Sequence, residues 1–178
     1  KSSSKWRWLN LLLWLFLLTA VSRPQWIGEP IPLPIEGRDL MLAIDISGSM
    51  EQQDMQINGQ AVDRLTAVKK VAGEFIERRT GDRLGLILFG ENAYLQTPLT
   101  FDRKTVQTLL YEAAIGLAGK STAIGDAIGL AVKKAREVEN NNRILIVLTD
   151  GQNTAGAIEP LKAAELAREE QLKIYTIG

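Results

Sequence analysis

Three separate stretches of this chain place oxygen-bearing side chains at the ends of apolar runs or at the start of a helical pattern. Asp45-Ile46-Ser47-Gly48-Ser49 follows Leu40–Ile44, and Thr149-Asp150-Gly151 follows Ile144–Leu148. Between them, Ser121-Thr122 opens a helical pattern. Asp45, Ser47, Ser49, Thr122 and Asp150 offer two carboxylates and three hydroxyls, with no nitrogen or sulfur donor. That donor set suits a hard divalent cation, Mg²⁺ or Mn²⁺, held partly through water. Two carboxylates aimed at one point repel each other unless a cation or proton intervenes. Hydroxyl ligands are neutral, so a cation among them keeps its attraction for an outside anion, such as an Asp or Glu carboxylate of a partner protein. Taken singly, each stretch has an ordinary explanation: a loop bonded to its own backbone, a turn, a helix cap. Their order, each at the end of an element, is the stronger signal.

Composition narrows the chemistry to binding. There is no histidine, which removes Ser-His-Asp catalysis and the usual zinc ligand, and no cysteine, which removes disulfides and thiolate sites. Lys plus Arg and Asp plus Glu stand at 21 each, so no net positive field favours nucleic acid. No residue is assigned a catalytic role, and the chain is expected not to be an enzyme. One enzymatic alternative is a P-loop nucleotide hydrolase using Lys120 and Asp150. Gly116–Ser121 resembles part of such a loop and Ile144–Asp150 a Walker B strand, but the required first glycine falls at Ala114 and Val106–Ala114 reads as helix. A phosphatase with Asp45 as nucleophile would want a carboxylate where Ser47 stands.

The elements that must position these residues alternate in type. Asp39–Ile46, Leu84–Phe89 and Arg143–Thr149 are continuous apolar runs, as for strands buried on both faces, and Leu172–Ile177 is a further strand. Ala93–Thr97, reached by a tight turn at Gly90–Asn92, reads as an antiparallel edge strand. Helical stripes cover Asp63–Thr80, the stretch from Asp102 to about Glu112, Ile124–Val138, capped by Ser121 or Thr122, and Leu161–Glu170 behind Pro160. The pattern predicts an α/β domain with a doubly wound, mostly parallel sheet, in which ligands bind beyond the strand carboxyl ends at the switch point. Asp126, near a helix start, either satisfies helix amides or supports the metal from behind. Asp54, in the polar loop Glu51–Gly59, is expected to be solvated or to rim the site.

The first 22 residues differ. A cationic flank precedes a stretch almost wholly apolar from Leu9 to Val21, broken only by Asn10 and Thr19; counted from Trp6 to Ser22 it is 17 residues, or roughly 25 Å of helix at about 1.5 Å per residue. This is expected to be a transmembrane segment at the short end of the usual range, bracketed by Trp6, Trp8 and Trp26. Ala20-Val21-Ser22 also fits a signal-peptide cleavage site. Lys1, Lys5 and Arg7 against Arg23 place the N-terminal flank in the cytoplasm. Residues 23–37, with Pro24, Pro30, Pro32 and Pro34, form a linker, and the domain occupies 38–178.

These motifs resemble a von Willebrand factor A domain with a metal-ion-dependent adhesion site. The family's Asp-x-Ser-x-Ser, Thr and Asp-Gly fall on Asp45, Ser47 and Ser49, Thr122, and Asp150. The resemblance implies a Rossmann-like fold, hydroxyls that bind the metal directly and aspartates that bind directly or through water. Arg23–Gln25, Gly37–Met50, Asp63–Leu65, Gly81–Phe89 and Pro98–Asp102 further resemble the bacterial aerotolerance Bat proteins, of the BatA/BatB type. That resemblance implies an inner-membrane protein whose domain faces the periplasm, with other Bat proteins and a MoxR-type AAA+ ATPase as partners. Its role would lie in stress tolerance or envelope-protein assembly. Family domains continue with another strand and helix, so this domain is expected to be incomplete at its C-terminus.

Overall fold

The computed structural model describes residues 3–22, 37–138 and 142–178, in two compact units, 1–34 and 35–178. The linker expected over 23–37 lies outside the described residues apart from Gly37. In the first unit, α1 (Ser3–Ser22) is apolar on all sides, with exposed side chains from Lys5 onward. Among the described residues, no helix is long and apolar enough to cross a membrane, which corrects the expected span. Lys5, Arg7 and Asn10 occupy the first half of α1, so its unbroken apolar stretch is only Leu11–Leu18. The Thr19 and Ser22 hydroxyls donate back to the carbonyls of Phe16 and Thr19 (2.9 Å each).

The second unit is the doubly wound α/β domain. Its elements in chain order are β1 (Asp39–Asp45), a 3₁₀ turn (Gly48–Glu51), β2 (Met55–Ile57), β3 (Gln60–Val62), α2 (Arg64–Arg78), β4 (Arg83–Phe89), β5 (Ala93–Thr100), α3 (Arg103–Glu112), α4 (Ile124–Arg136), β6 (Arg143–Leu148), α5 (Pro160–Glu169) and β7 (Lys173–Ile177). The main sheet runs β5-β4-β1-β6-β7. Only β5 is antiparallel, pairing Phe89 with Ala93. β1 lies in register between β4 (Asp45 opposite Phe89) and β6 (Ile44 opposite Leu148).

The strand alternation divides the core in two. Leu40, Leu42, Ile44, Leu84, Leu86 and Leu88 face α2 and α3, packing on Leu65, Ile76, Val106 and Leu110. Met41, Ala43, Ile87, Phe89, Leu145 and Val147 face α4 and α5. All seven residues of β1 are buried, which explains its unbroken apolar run. Because the crossovers leave β1 on opposite faces, the switch point falls beside it, and the loops after β1 and β6 meet there. Beneath the opposite end, Asp39, 2% exposed, is held by a two-pronged pair from Arg83 (2.7 Å to each oxygen). The β2–β3 hairpin was not expected from the sequence. It stands between β1 and α2, turning on Asn58 (φ 53°) and Gly59 (φ 81°), both in the left-handed region.

Candidate metal centre

The loop after β1 supplies Asp45, Ser47 and Ser49. Asp45 ends the strand with its carboxylate turned back: Oδ1 accepts from the Ser47 N–H (2.8 Å) and Oδ2 from the Thr149 hydroxyl (2.6 Å). Asp45 and Ser47 are both 0% exposed. Two backbone bonds stitch this loop to the one before α4: Gly48 N–H donates to the Lys120 carbonyl (3.0 Å) and Gly116 N–H to the Ile46 carbonyl (2.9 Å). Thr122 is thereby held against Ser47, its Oγ1 donating to Ser47 Oγ at 3.1 Å.

A continuous path of oxygens results. Thr122 Oγ1 meets Ser47 Oγ, Ser47 Oγ meets Ser49 Oγ (3.1 Å), and Ser49 Oγ donates to Asp150 Oδ1 (2.7 Å). Asp45 joins through the Ser47 amide. All five residues singled out in the sequence therefore lie in one cluster. Adjacent ligands of an octahedral Mg²⁺ at about 2.0–2.1 Å lie about 2.9 Å apart. The observed oxygen separations bracket that value, and the donors are all hard oxygen, so the residues fit such an ion.

Several neighbours escaped the sequence reading. Thr149 holds the second oxygen of Asp45 and also accepts from the Gly151 N–H (3.2 Å). Arg64, in the first turn of α2, donates Nη1 to Asp150 Oδ2 and grips Asp54 with Nε (2.9 and 3.0 Å) and Nη2. Asp54 is thus neither free nor a ligand of the oxygen path; its hydrogen bond to Arg64 holds its carboxyl below the ordinary carboxylate range. A cation opening a helix opposes the macrodipole, and that mismatch was the available signal for Arg64.

Other expectations are corrected. Neither Ser121 nor Thr122 caps α4. Asn153 Oδ1 accepts from the Ile124 N–H (2.8 Å) instead, and the Thr122 hydroxyl serves the oxygen path. Asp126 satisfies loop amides, not helix amides, accepting from Ala157 (3.0 Å) and Ile158 (2.9 Å). Its part is to pin the 151–159 loop to α4. The P-loop alternative loses its geometry: the segment before Gly116 is α3 followed by turns, so no strand leads into Lys120.

A buried central strand ending in Asp-x-Ser-x-Ser, with Thr and Asp-Gly closing on it at the switch point, defines a von Willebrand factor type A domain. The sequence model of that family matches residues 39–178, and the chain belongs to it. Within the family it is of the Bat type. Three solved structures resemble it. A membrane-spanning protein from Vibrio fischeri is 56% identical, with TM-score 0.57 over 80% of this chain and 71% of that one. An aerotolerance-related membrane protein from Bacteroides fragilis is 31% identical, TM-score 0.71, over 80% and 67%. BatB from Bacteroides thetaiotaomicron is 32% identical, TM-score 0.71, over 80% and 66%. The chain spans 40% of the length of an uncharacterised Borreliella burgdorferi protein to which it is 31% identical.

Proposed function

We propose that this domain is a membrane-associated binding module that takes up Mg²⁺ or Mn²⁺ through Asp45, Ser47, Ser49, Thr122 and Asp150. It uses that ion to engage a carboxylate of a partner protein. The observation that carries the reading is the path of oxygens from Thr122 to Asp150 at the spacing of an octahedral cation's ligands. The chain's own residues fix three hydroxyls as neutral ligands, leave at least one position open at the half-buried rim, and hold the Asp45 carboxyl in place through the Ser47 amide and the Thr149 hydroxyl. The ion itself supplies an electrophilic anchor for an incoming oxygen. Nothing in the arrangement activates a nucleophile or moves a proton, so binding is the whole of the proposed activity.

Membrane association is assigned to α1, whose exposed Trp6, Trp8, Trp14 and leucines have no place in water and whose Thr19 and Ser22 hydroxyls are internally satisfied. Two of the similar structures are of membrane proteins. A position on the periplasmic side of a bacterial inner membrane is what the family resemblance offers for the domain. Other Bat proteins and a MoxR-type ATPase are the partners that the family resemblance offers.

The test is calorimetric titration of Mg²⁺ into the chain and into Ser49→Ala and Asp150→Asn. Saturable binding in the wild type, weakened at least tenfold in both variants, supports the site. Absence of saturable binding in the wild type at millimolar Mg²⁺ refutes it.

A further inference from the structure

We propose that Arg64 is a built-in competitor of the cation: its guanidinium holds the outer oxygen of Asp150, and Asp54 keeps it parked when a cation takes Asp150. This inference rests on the metal reading of the site and concerns its regulation.

Both oxygens of Asp150 are engaged in this structure. Oδ1 accepts from Ser49, inside the oxygen path, and Oδ2 accepts from Arg64 Nη1, outside it. A cation approaching Asp150 therefore meets a carboxylate already neutralised by a fixed positive charge, and like charges are brought together if both remain. Arg64 cannot relieve this by losing its proton, since a guanidinium stays charged. It can relieve it by yielding Nη1.

Asp54 sets the cost of yielding. It receives Nε and Nη2, the two-pronged side of the guanidinium, while Asp150 receives one N–H. When the cation displaces Nη1, the guanidinium keeps its Asp54 bonds and is not stranded. The cation thus competes against one charge-assisted contact at a partly exposed position, Asp150 and Arg64 being 14% and 21% exposed in their side chains. A coupling of about tenfold in affinity is the scale expected of such an exchange. It tunes the site to release its ion instead of abolishing binding. Without Asp54 the same displacement would leave an unpaired guanidinium, and binding would weaken.

The geometry calls for Arg here. Lysine could pair with either carboxylate as a point charge but has no fork with which to hold both.

The experiment is a double-mutant cycle read as the dissociation constant of Mg²⁺ by calorimetry and of Mn²⁺ by electron paramagnetic resonance, with no partner present. The proteins are the wild-type chain, Arg64→Gln, Arg64→Lys, Asp54→Asn and Asp54→Asn with Arg64→Gln. The competitor predicts about tenfold tighter binding in R64Q and at least about threefold in R64K. It predicts severalfold weaker binding in D54N, an effect that vanishes when Arg64 is already gone. A general electrostatic field would instead leave R64K equal to wild type and carry the D54N loss unchanged into the double variant. Either result overturns the proposal. Equal affinities in all five would also sink it while leaving the metal site standing. If none of the five binds metal, the metal reading itself has failed and this one falls with it.

Discussion

Replacing Thr149 by valine tests whether the buried carboxylate at the floor of the site is held by hydrogen bonds or merely by packing. Asp45 is 0% exposed and makes its two bonds to the Ser47 amide and the Thr149 hydroxyl, at 2.8 and 2.6 Å. Valine keeps the shape of threonine and deletes the donor, leaving Asp45 Oδ2 with one fewer partner where water does not replace it. A hydrogen bond to a charged group contributes about 1.5–3 kcal/mol, and a buried orphan forfeits most of it. With a urea slope of about 1–3 kcal/mol per molar for a domain of this size, the unfolding midpoint falls by about 1 M. The assay is urea unfolding in the presence of a chelator, followed by far-UV circular dichroism. Thr149→Ser is the control, since it loses a methyl group but keeps the hydroxyl. Serine should recover at least half of the midpoint. Equal losses in the valine and serine variants, or a valine variant within about 0.5 kcal/mol of wild type, would show that the Thr149 hydroxyl does not hold Asp45.

Three further outcomes are expected. A Cβ added to Gly125 would sit 1.8 Å from the Ile158 carbonyl oxygen, so Gly125→Ala must part α4 from the 151–159 loop; thermal unfolding should register a loss of about 1–3 kcal/mol, the scale of overpacking. Arg83→Met leaves the buried Asp39 carboxylate uncompensated, and chemical unfolding should show a loss of about 2–3 kcal/mol, below the fully buried range because Arg83 is 24% exposed. Asp102 caps α3, and its bonds from the Thr105 hydroxyl (2.6 Å) and amide (3.1 Å) hold its carboxyl below its ordinary value. The unfolded chain therefore takes up that proton first, so this contribution is intact above the ordinary carboxylate value of 3.8 and is lost as pH falls through the lower folded value. Acid unfolding of Asp102→Asn should show a correspondingly shallower pH slope below pH 4.

The sequence made the sheet legible because burial on both faces left no choice of residue: β1, β4 and β6 are apolar runs that nothing but a covered parallel sheet accommodates. That the five oxygen residues would meet in one cluster was legible for a different reason, since each stands directly after such a run or just ahead of a helix. What failed were features defined by partners distant in the chain. Thr122 looked like a cap because the competing cap, Asn153, lies 31 residues further on. Asp126 looked like a helix-end acid because the amides it satisfies belong to a loop that only folding brings near. The β2–β3 hairpin carried a strong turn signal in Asn58-Gly59, but its strands are only three residues each and mostly exposed, too short for a periodic pattern to mark them. The N-terminal run was read by its leucines, whereas Lys5, Arg7 and Asn10 limit its apolar length.

The cluster is built in two mechanical grades, and this division bears on how a binding module could respond to its ion. Asp45, Ser47 and Thr122 are buried, and backbone bonds from Gly48 to Lys120 and from Ala123 to Gly90 lock the loops that carry them. Moving any of them would break ladder-edge bonds and open the core beneath β1. Ser49 and Asp150 are half-buried, and the outer oxygen of Asp150 is tied only to a side chain, Arg64. An ion binding here would find a floor that cannot adjust and a rim that can. Any change that ion uptake brought would therefore fall on Ser49, Asp150 and the guanidinium that joins Asp150 to Asp54, and the loop preceding the hairpin is the part of the surface to which that change would be mechanically connected.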